Sequence, residues 1–276
     1  MVRKMIRLIA LDLDDTLLRK DKTISWASQK AIAFAKSQGI KIVIASGRPL
    51  FRIKPILEIL DLIEDENYLI ALNGGCIATT HQTILYQKQL VSQDIQCILH
   101  ELLNRHLSFL MYQGDQIYTN QLDVHLRQLP IFQGVALKER PIVELQQASN
   151  ASKLIVVDTQ AQLDRHQPEL VAALPHYTVV RTTPYFLEIL PHHVNKGTAL
   201  EFLASYLHIL PQEMMAIGDA ENDIPMLKMV GMGVAMANAT EEVKQVARFI
   251  TLSCEEDGVA YAIQNIISNQ HIVKKK

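Results

Sequence analysis

The sequence predicts an α/β protein: a parallel-sheet core, divided in the chain, with an α+β unit inserted into it. Three observations predict it. Short apolar runs alternate with helical patterns over residues 1–82, turn-separated β-rich segments occupy 83–190, and the alternation resumes over 191–276. Strands alternating with helices make right-handed crossover units, whose sheets are parallel and covered on both faces.

Residues 6–13, IRLIALDL, are too few for a typical helix and read as a buried strand. After a polar turn at 19–23, Ser25 is placed to cap a helix carrying Ala27, Ala31, Phe34 and Ala35, which Gly39 ends. Residues 40–45 form a second strand, 53–60 a helix, and 68–72 a third strand stopped by Asn73-Gly74-Gly75. In the insert, 107–112 and 116–119 make a hairpin about Gly114-Asp115. Strands follow at 154–157, 178–180 and 186–190, with helices near 95–103 and 163–173. The closing segment predicts helices at 198–207, 224–229, 241–247 and 259–267, and strands at 214–217, 233–236 and 249–252.

A net charge of −2 argues against a nucleic-acid footprint, which needs a basic surface. The clusters Val2-Arg3-Lys4 and Lys274-Lys275-Lys276 read as solvated ends. Cys76, Cys97 and Cys254 suit neither a disulfide framework nor a zinc knuckle. Acidic residues follow the first apolar run directly, unlike a signal peptide, and no stretch reaches the roughly 18 apolar residues of a membrane span. A reducing cytoplasm is the expected location. Oligomeric state is not encoded legibly.

Ligands of open parallel sheets bind beyond the carboxyl ends of the strands. Four polar clusters fall there: 12–16 (DLDDT), Ser46-Gly47-Arg48, Asn73-Gly74-Gly75 and 218–223 (GDAEND). Gathering Asp12, Asp14, Asp219 and Asp223 in one pocket is costly at low dielectric. Mg2+, which takes oxygen ligands and keeps waters for a phosphate, relieves that cost together with Lys196. Ser46 Oγ and N–H groups at the start of a Gly47-Arg48 helix would receive a phosphate. Asp12 is then expected as nucleophile, and Asp14, with a raised pKa, as the acid that protonates the leaving oxygen and the base that next activates water. Thr16 is expected to fix the turn through bonds to backbone.

The ordered set DLDDTLL, ASGRP, NKG and GDAENDIPML resembles the haloacid dehalogenase superfamily, in its Cof-like phosphatase branch with a type IIB cap. The resemblance covers the core, and the insert matches that branch's α+β cap in position and length. It implies a Rossmann-like core (1–82 and 191–276) with a substrate-selecting cap (83–190). It implies hydrolysis of a small phosphorylated metabolite through an aspartyl phosphate on Asp12, with Asp14 as acid/base and Ser46, Gly47 and Lys196 on the phosphoryl group. Asp12, the Asp14 carbonyl and Asp219 would hold Mg2+, with Asp223 behind them and Asn222 and Asn238 at the rim. Three positions depart from the usual pattern: Asp15 for glycine, Ser46 for threonine and Cys254 for asparagine.

Plainer readings stand beside these. Ser46 is also a natural helix N-cap, Arg48 is either an anion contact or a helix-surface charge, and Asn73-Gly74-Gly75 reads as a turn rather than a ligand contact, though a turn there is placed to line the phosphate pocket. His192-His193 is not expected to bind metal, since sequence neighbours rarely point the same way. Among cap residues, Lys153, Arg181, Tyr185 and Glu188 are available to face a substrate, with none singled out. Two other functions share the motifs: a phosphotransferase or mutase using the same phosphoenzyme, and a non-catalytic phosphometabolite-binding protein. A glycosyltransferase would use the DxD pair but leaves Lys196 and GDAEND without a role.

Overall fold

The computed structural model describes residues 5–63, 66–121 and 136–272, so both basic terminal clusters lie outside the described residues. The chain divides into two compact units, Met1–Gln87 with Asn195–Lys276, and Lys88–Val194.

The first unit opens with β1 (Leu8–Leu11), α1 (Trp26–Ser37), β2 (Lys41–Ala45), α2 (Leu50–Ile59), β3 (Tyr68–Ala71), β4 (Cys76–Thr79) and β5 (Ile84–Gln87). The second contains β6 (Leu90–Val91), α3 (Ser92–Asn104), β7 (Phe109–Gln113), β8 (Gln116–Thr119), β9 (Leu137–Glu139), α4 (Ile142–Gln146), β10 (Asn150–Ala151), β11 (Lys153–Val157), α5 (Gln160–Ala173), β12 (Tyr177–Thr183) and β13 (Phe186–Pro191). The first unit resumes with α6 (Lys196–Leu207), β14 (Met214–Gly218), α7 (Ile224–Met229), β15 (Met232–Ala235), α8 (Glu241–Val246), β16 (Phe249–Ile250) and α9 (Gly258–Ile272).

The first unit is built on one sheet in the order β16-β15-β14-β1-β2-β3-β4-β5. It is parallel from β16 to β3, and β4 and β5 add an antiparallel edge. All four residues of β1 are buried, as in a central parallel strand with both faces covered. Ser25 caps α1 by accepting from the Ser28 N–H. β4 and β5 are absent from the sequence reading. They displace the expected unit boundary from 83 to 88, because Cys76 pairs with Gln87 and Ile77 with Tyr86. At the other end, β13 runs through Pro191 inside the second unit, which moves that boundary from 191 to 195.

The second unit carries a six-stranded sheet, β12-β13-β11-β7-β8-β9, antiparallel except for β8 beside β9. Ile95, Leu99, Leu163 and Leu170 from α3 and α5 pack with Phe109, Leu154 and Leu187 of the sheet. The alternate residues Leu110, Tyr112, Ile155 and Phe186 form a separate, smaller cluster.

A tight turn links β3 to β4 through left-handed residues Leu72 (φ 53°), Asn73 (φ 55°) and Gly74 (φ 103°). A Cβ on Gly74 would lie 2.3 Å from the Asn195 carbonyl oxygen. Gly74→Ala therefore meets a backbone clash and an unfavourable φ together. It is expected to cost about 2–4 kcal/mol in urea unfolding, against about 1–2 kcal/mol for Gly39→Ala, where open space leaves only the φ term.

Candidate active site

β1 and β14 are parallel neighbours near the middle of the sheet, so their carboxyl ends bring Asp12 and Asp219 side by side. The Asp12 N–H extends the ladder by donating to the Ile217 carbonyl at 3.0 Å. Lys196 opens α6, and its fully buried ammonium donates to Asp12 Oδ1 at 2.5 Å and to Asp223 Oδ1 at 2.6 Å. The other oxygen of Asp223 accepts from the N–H groups of Asp219 (3.0 Å) and Ala220 (3.1 Å), closing the turn after β14. That carboxylate fits only because residue 218 is glycine; a Cβ there would meet its carboxyl carbon at 2.5 Å. Asp12, Asp219 and Asp223 each place an oxygen within 4.8 Å of the others, the only such cluster of potential metal ligands among the described residues.

The charges in this cluster are not balanced by protein alone. Burial, followed by the charge of Asp223, pushes the Asp12 carboxyl up to about 7, with Lys196 pulling the other way. Burial and the charges of Asp12 and Asp223 raise Asp219 well above the usual carboxylate range. Burial disfavours the Lys196 ammonium, but Asp12 and Asp223 outweigh it and raise its pKa. Three hard oxygen donors with surplus negative charge, and no soft ligand, suit Mg2+.

Several expectations need correction. Thr16 does not brace its own turn: its hydroxyl donates to Asp219 Oδ1 at 2.6 Å, joining the loop after β1 to the loop after β14. Ser46 does not cap α2, whose N-cap is Pro49; Gly47 and Arg48 precede the helix in a bend. Buried Ser46 instead accepts the Arg48 N–H at 3.2 Å. Arg48 is neither a free surface charge nor aimed at open solvent. Its Nε and Nη2 grip the Asp14 carboxylate at 2.8 and 2.6 Å, and Lys22 adds a bond at 2.9 Å. Burial would raise Asp14, but the hydrogen bonds and charges of Arg48 and Lys22 prevail and hold it below the ordinary carboxylate value, opposite to the raised pKa expected.

A carboxylate depressed in the folded state stabilises it above the unfolded pKa, and that contribution is lost as pH falls through the folded pKa. Asp14 is 41% exposed, so solvent screens the pair. Arg48→Ala is expected to cost about 0.5–1 kcal/mol at neutral pH, a difference that fades below about pH 4, read from urea titrations across that range.

Asn222 Nδ2 donates to Asn73 Oδ1 at 2.9 Å, so the buried Asn73, expected from sequence as a turn beside the pocket, belongs to the site's framework. Asn238 is tied to backbone, donating to the Asp15 carbonyl at 2.8 Å and accepting the Cys254 N–H at 2.9 Å. Lys22 carries no sequence signal, since eight residues across an irregular turn imply no contact. In the second unit, Lys153 and Glu188 pair at 2.7 Å and are buried, while Arg181 turns to Asp164 and Gln167. Tyr185 is exposed. The His192 and His193 rings do come together, with centroids 3.7 Å apart and His193 at a left-handed φ of 60°.

The sequence profile of haloacid dehalogenase-like hydrolases matches residues 9–263. The chain belongs to this family. It is 34% identical over 273 residues to YxeH of Bacillus subtilis, named as a candidate phosphatase, covering 95% of this chain and 99% of that one. The 5-amino-6-(5-phospho-D-ribitylamino)uracil phosphatase YwtE of the same organism is 30% identical over 292 residues, covering 96% of this chain and all of its own. A haloacid dehalogenase-like hydrolase from Bacteroides thetaiotaomicron superposes with a TM-score of 0.80 at 34% identity, covering 95% of this chain and 99% of that structure. The chain is thus a phosphatase of the haloacid dehalogenase superfamily, in its Cof-like branch. Its aspartate at position 15, in place of the more frequent glycine, sits at φ 58°, a left-handed conformation that aspartate tolerates better than most residues.

Among the described residues, no helix is long and apolar enough to cross a membrane.

Proposed function

We propose that this phosphatase hydrolyses small phosphorylated metabolites through an aspartyl phosphate on Asp12. The observation that carries the reading is the buried Lys196 ammonium shared by Asp12 and Asp223, with Asp219 alongside. This group of charges is unfavourable on its own and suits a site that receives a cation and a phosphate. Asp12 and Asp219, with the Asp14 carbonyl, would hold Mg2+, which when bound offsets the negative charge of the cluster and of a phosphoryl group.

In the first half-reaction an Asp12 oxygen forms a bond to phosphorus as the bond to the leaving oxygen breaks, and Asp14 gives that oxygen a proton. In the second, Asp14 takes a proton from water, whose oxygen attacks phosphorus and frees the Asp12 carboxylate. Held ionised by Arg48 and Lys22, Asp14 is in the form required of the base. Its acid role requires that grip to loosen, whereupon burial favours the protonated carboxyl. Ser46 and Lys196 supply donors to the phosphoryl oxygens. Selection of the leaving group is assigned to the inserted unit, and the phosphoribityl compound named for YwtE supports a substrate of that size and polarity. The three unpaired cysteines support a cytoplasmic setting.

Turnover of an aryl phosphate, and of a panel of sugar, pyridoxal, flavin and polyol phosphates, tests this. EDTA is expected to lower the rate by at least about 100-fold, with recovery in excess Mg2+. Metal-independent turnover rejects the Mg2+ assignment, and an inert panel rejects metabolite hydrolysis.

A further inference from the structure

We propose that Asn73 is a positioning residue, whose turn holds the loops bearing Ser46, Lys196 and Asp219–Asp223 in register; the consequence for rate rests on the phosphatase reading above. Asn73 is 1% exposed and lies between β3 and β4, away from the four acidic residues in sequence. Its N–H donates to the Ser46 carbonyl at 3.0 Å, and the preceding Leu72 N–H to the Arg48 carbonyl at 3.1 Å. Those two bonds pin the bend at 46–48. The Asn73 carboxamide lies against Gly47, where even a Cβ would be 3.1 Å from Nδ2.

From the other side, Asn73 Oδ1 accepts Asn222 Nδ2 at 2.9 Å. Asn222 Oδ1 is buried with no hydrogen-bond partner among the described residues, so the bond to Asn73 is what orients this carboxamide in the loop after β14. Gly74 then packs onto the carbonyl of Asn195, the N-cap of α6, one residue before Lys196. One turn therefore meets all three loops. At φ 55° position 73 favours glycine, asparagine or aspartate, and of these asparagine alone offers both a donor and an acceptor from one neutral group.

Two variants separate side chain from backbone. Asn73→Gly keeps the φ preference and removes the carboxamide; Asn73→Asp keeps the φ preference and the acceptor but not the amide. Hydrogen exchange on the whole protein reads the loops whether or not it turns over a given substrate. In Asn73→Gly the amides of Arg48, Asp219 and Ala220 are expected to exchange at least about 10-fold faster, while those of Leu8–Leu11 and Met214–Gly218 hold their rates. Asn73→Asp should recover the Asp219 and Ala220 amides more than Arg48. With an active wild type, kcat in Asn73→Gly falls about 10–100-fold while KM moves less than about threefold, the signature of misplaced groups rather than lost binding. Unchanged exchange at these three amides overturns the proposal, as does a uniform rise across the sheet. An inactive wild type rejects the phosphatase reading alone, because the exchange pattern still decides the role of Asn73.

Discussion

Lys196→Met is expected to destabilise the protein by about 3–5 kcal/mol in EDTA, the range for removing one partner from a buried ionic group. The methionine follows the lysine stem to within one atom of its end, so packing changes little, but Asp12 and Asp223 lose the cation bonded to both. Their protons then decide the pH dependence. Asp12 already titrates near 7, above its unfolded value, so between those two values the folded state binds more protons than the unfolded one. Stability therefore falls as pH rises through that window, and losing the lysine, which pulls Asp12 down, extends the fall to higher pH. Urea unfolding of the variant should show a loss that is small near about pH 5 and largest near about pH 8, with part of it recovered by Mg2+. A pH-independent loss would mean that packing, not charge, is what Lys196 supplies.

What could be foreseen of this site follows from how its residues are encoded. Asp12, Asp219 and Lys196 end or begin regular elements, so strand and helix patterns fix their places, and the parallel order of β1 and β14 makes them neighbours. The contacts of Asp14 are of another kind. Lys22 and Arg48 reach it from irregular segments, where no periodicity ties sequence separation to distance, and the pair reverses the pKa expected of an acid near other acids. The sequence places Thr16 in its turn but does not reveal its partner, because a hydroxyl's choice between local backbone and a carboxylate across the site depends on strand register. The antiparallel edge formed by β4 and β5 escaped because Cys76–Thr79 and Ile84–Gln87 are only four residues each, and β5 is largely exposed, so no apolar run marks it. The sequence marks Asn73 as a turn beside the pocket without showing what its side chain does: asparagine is chosen at left-handed turns whether or not its side chain is used, and only burial and the Asn222 bond separate the two cases.

Asp12→Asn is expected to abolish turnover, by a factor on the order of 10^4 to 10^6, while leaving the protein as stable as wild type or more so. The amide oxygen still accepts from Lys196, so the scaffold keeps that bond, but the carboxylate that attacks phosphorus is gone. At the same time the variant removes one negative charge from a group in which burial and Asp223 push Asp12 to about 7, and burial with the charge of Asp12 itself raises Asp219 well above the usual carboxylate range. Relieving that repulsion in EDTA, above about pH 8, should raise the urea midpoint, and the gain should vanish below about pH 4, where the wild-type carboxyl is neutral in both states. The opposite movements of activity and stability are diagnostic. A residue retained for structure would lose stability when changed, whereas a nucleophile placed among like charges is a cost the fold carries for reactivity. Acid-quenched protein after incubation with radiolabelled phosphoester should carry hydroxylamine-labile phosphate in the wild type and none in Asp12→Asn. Label surviving in the variant, or more than about one hundredth of wild-type turnover, would move the nucleophile elsewhere.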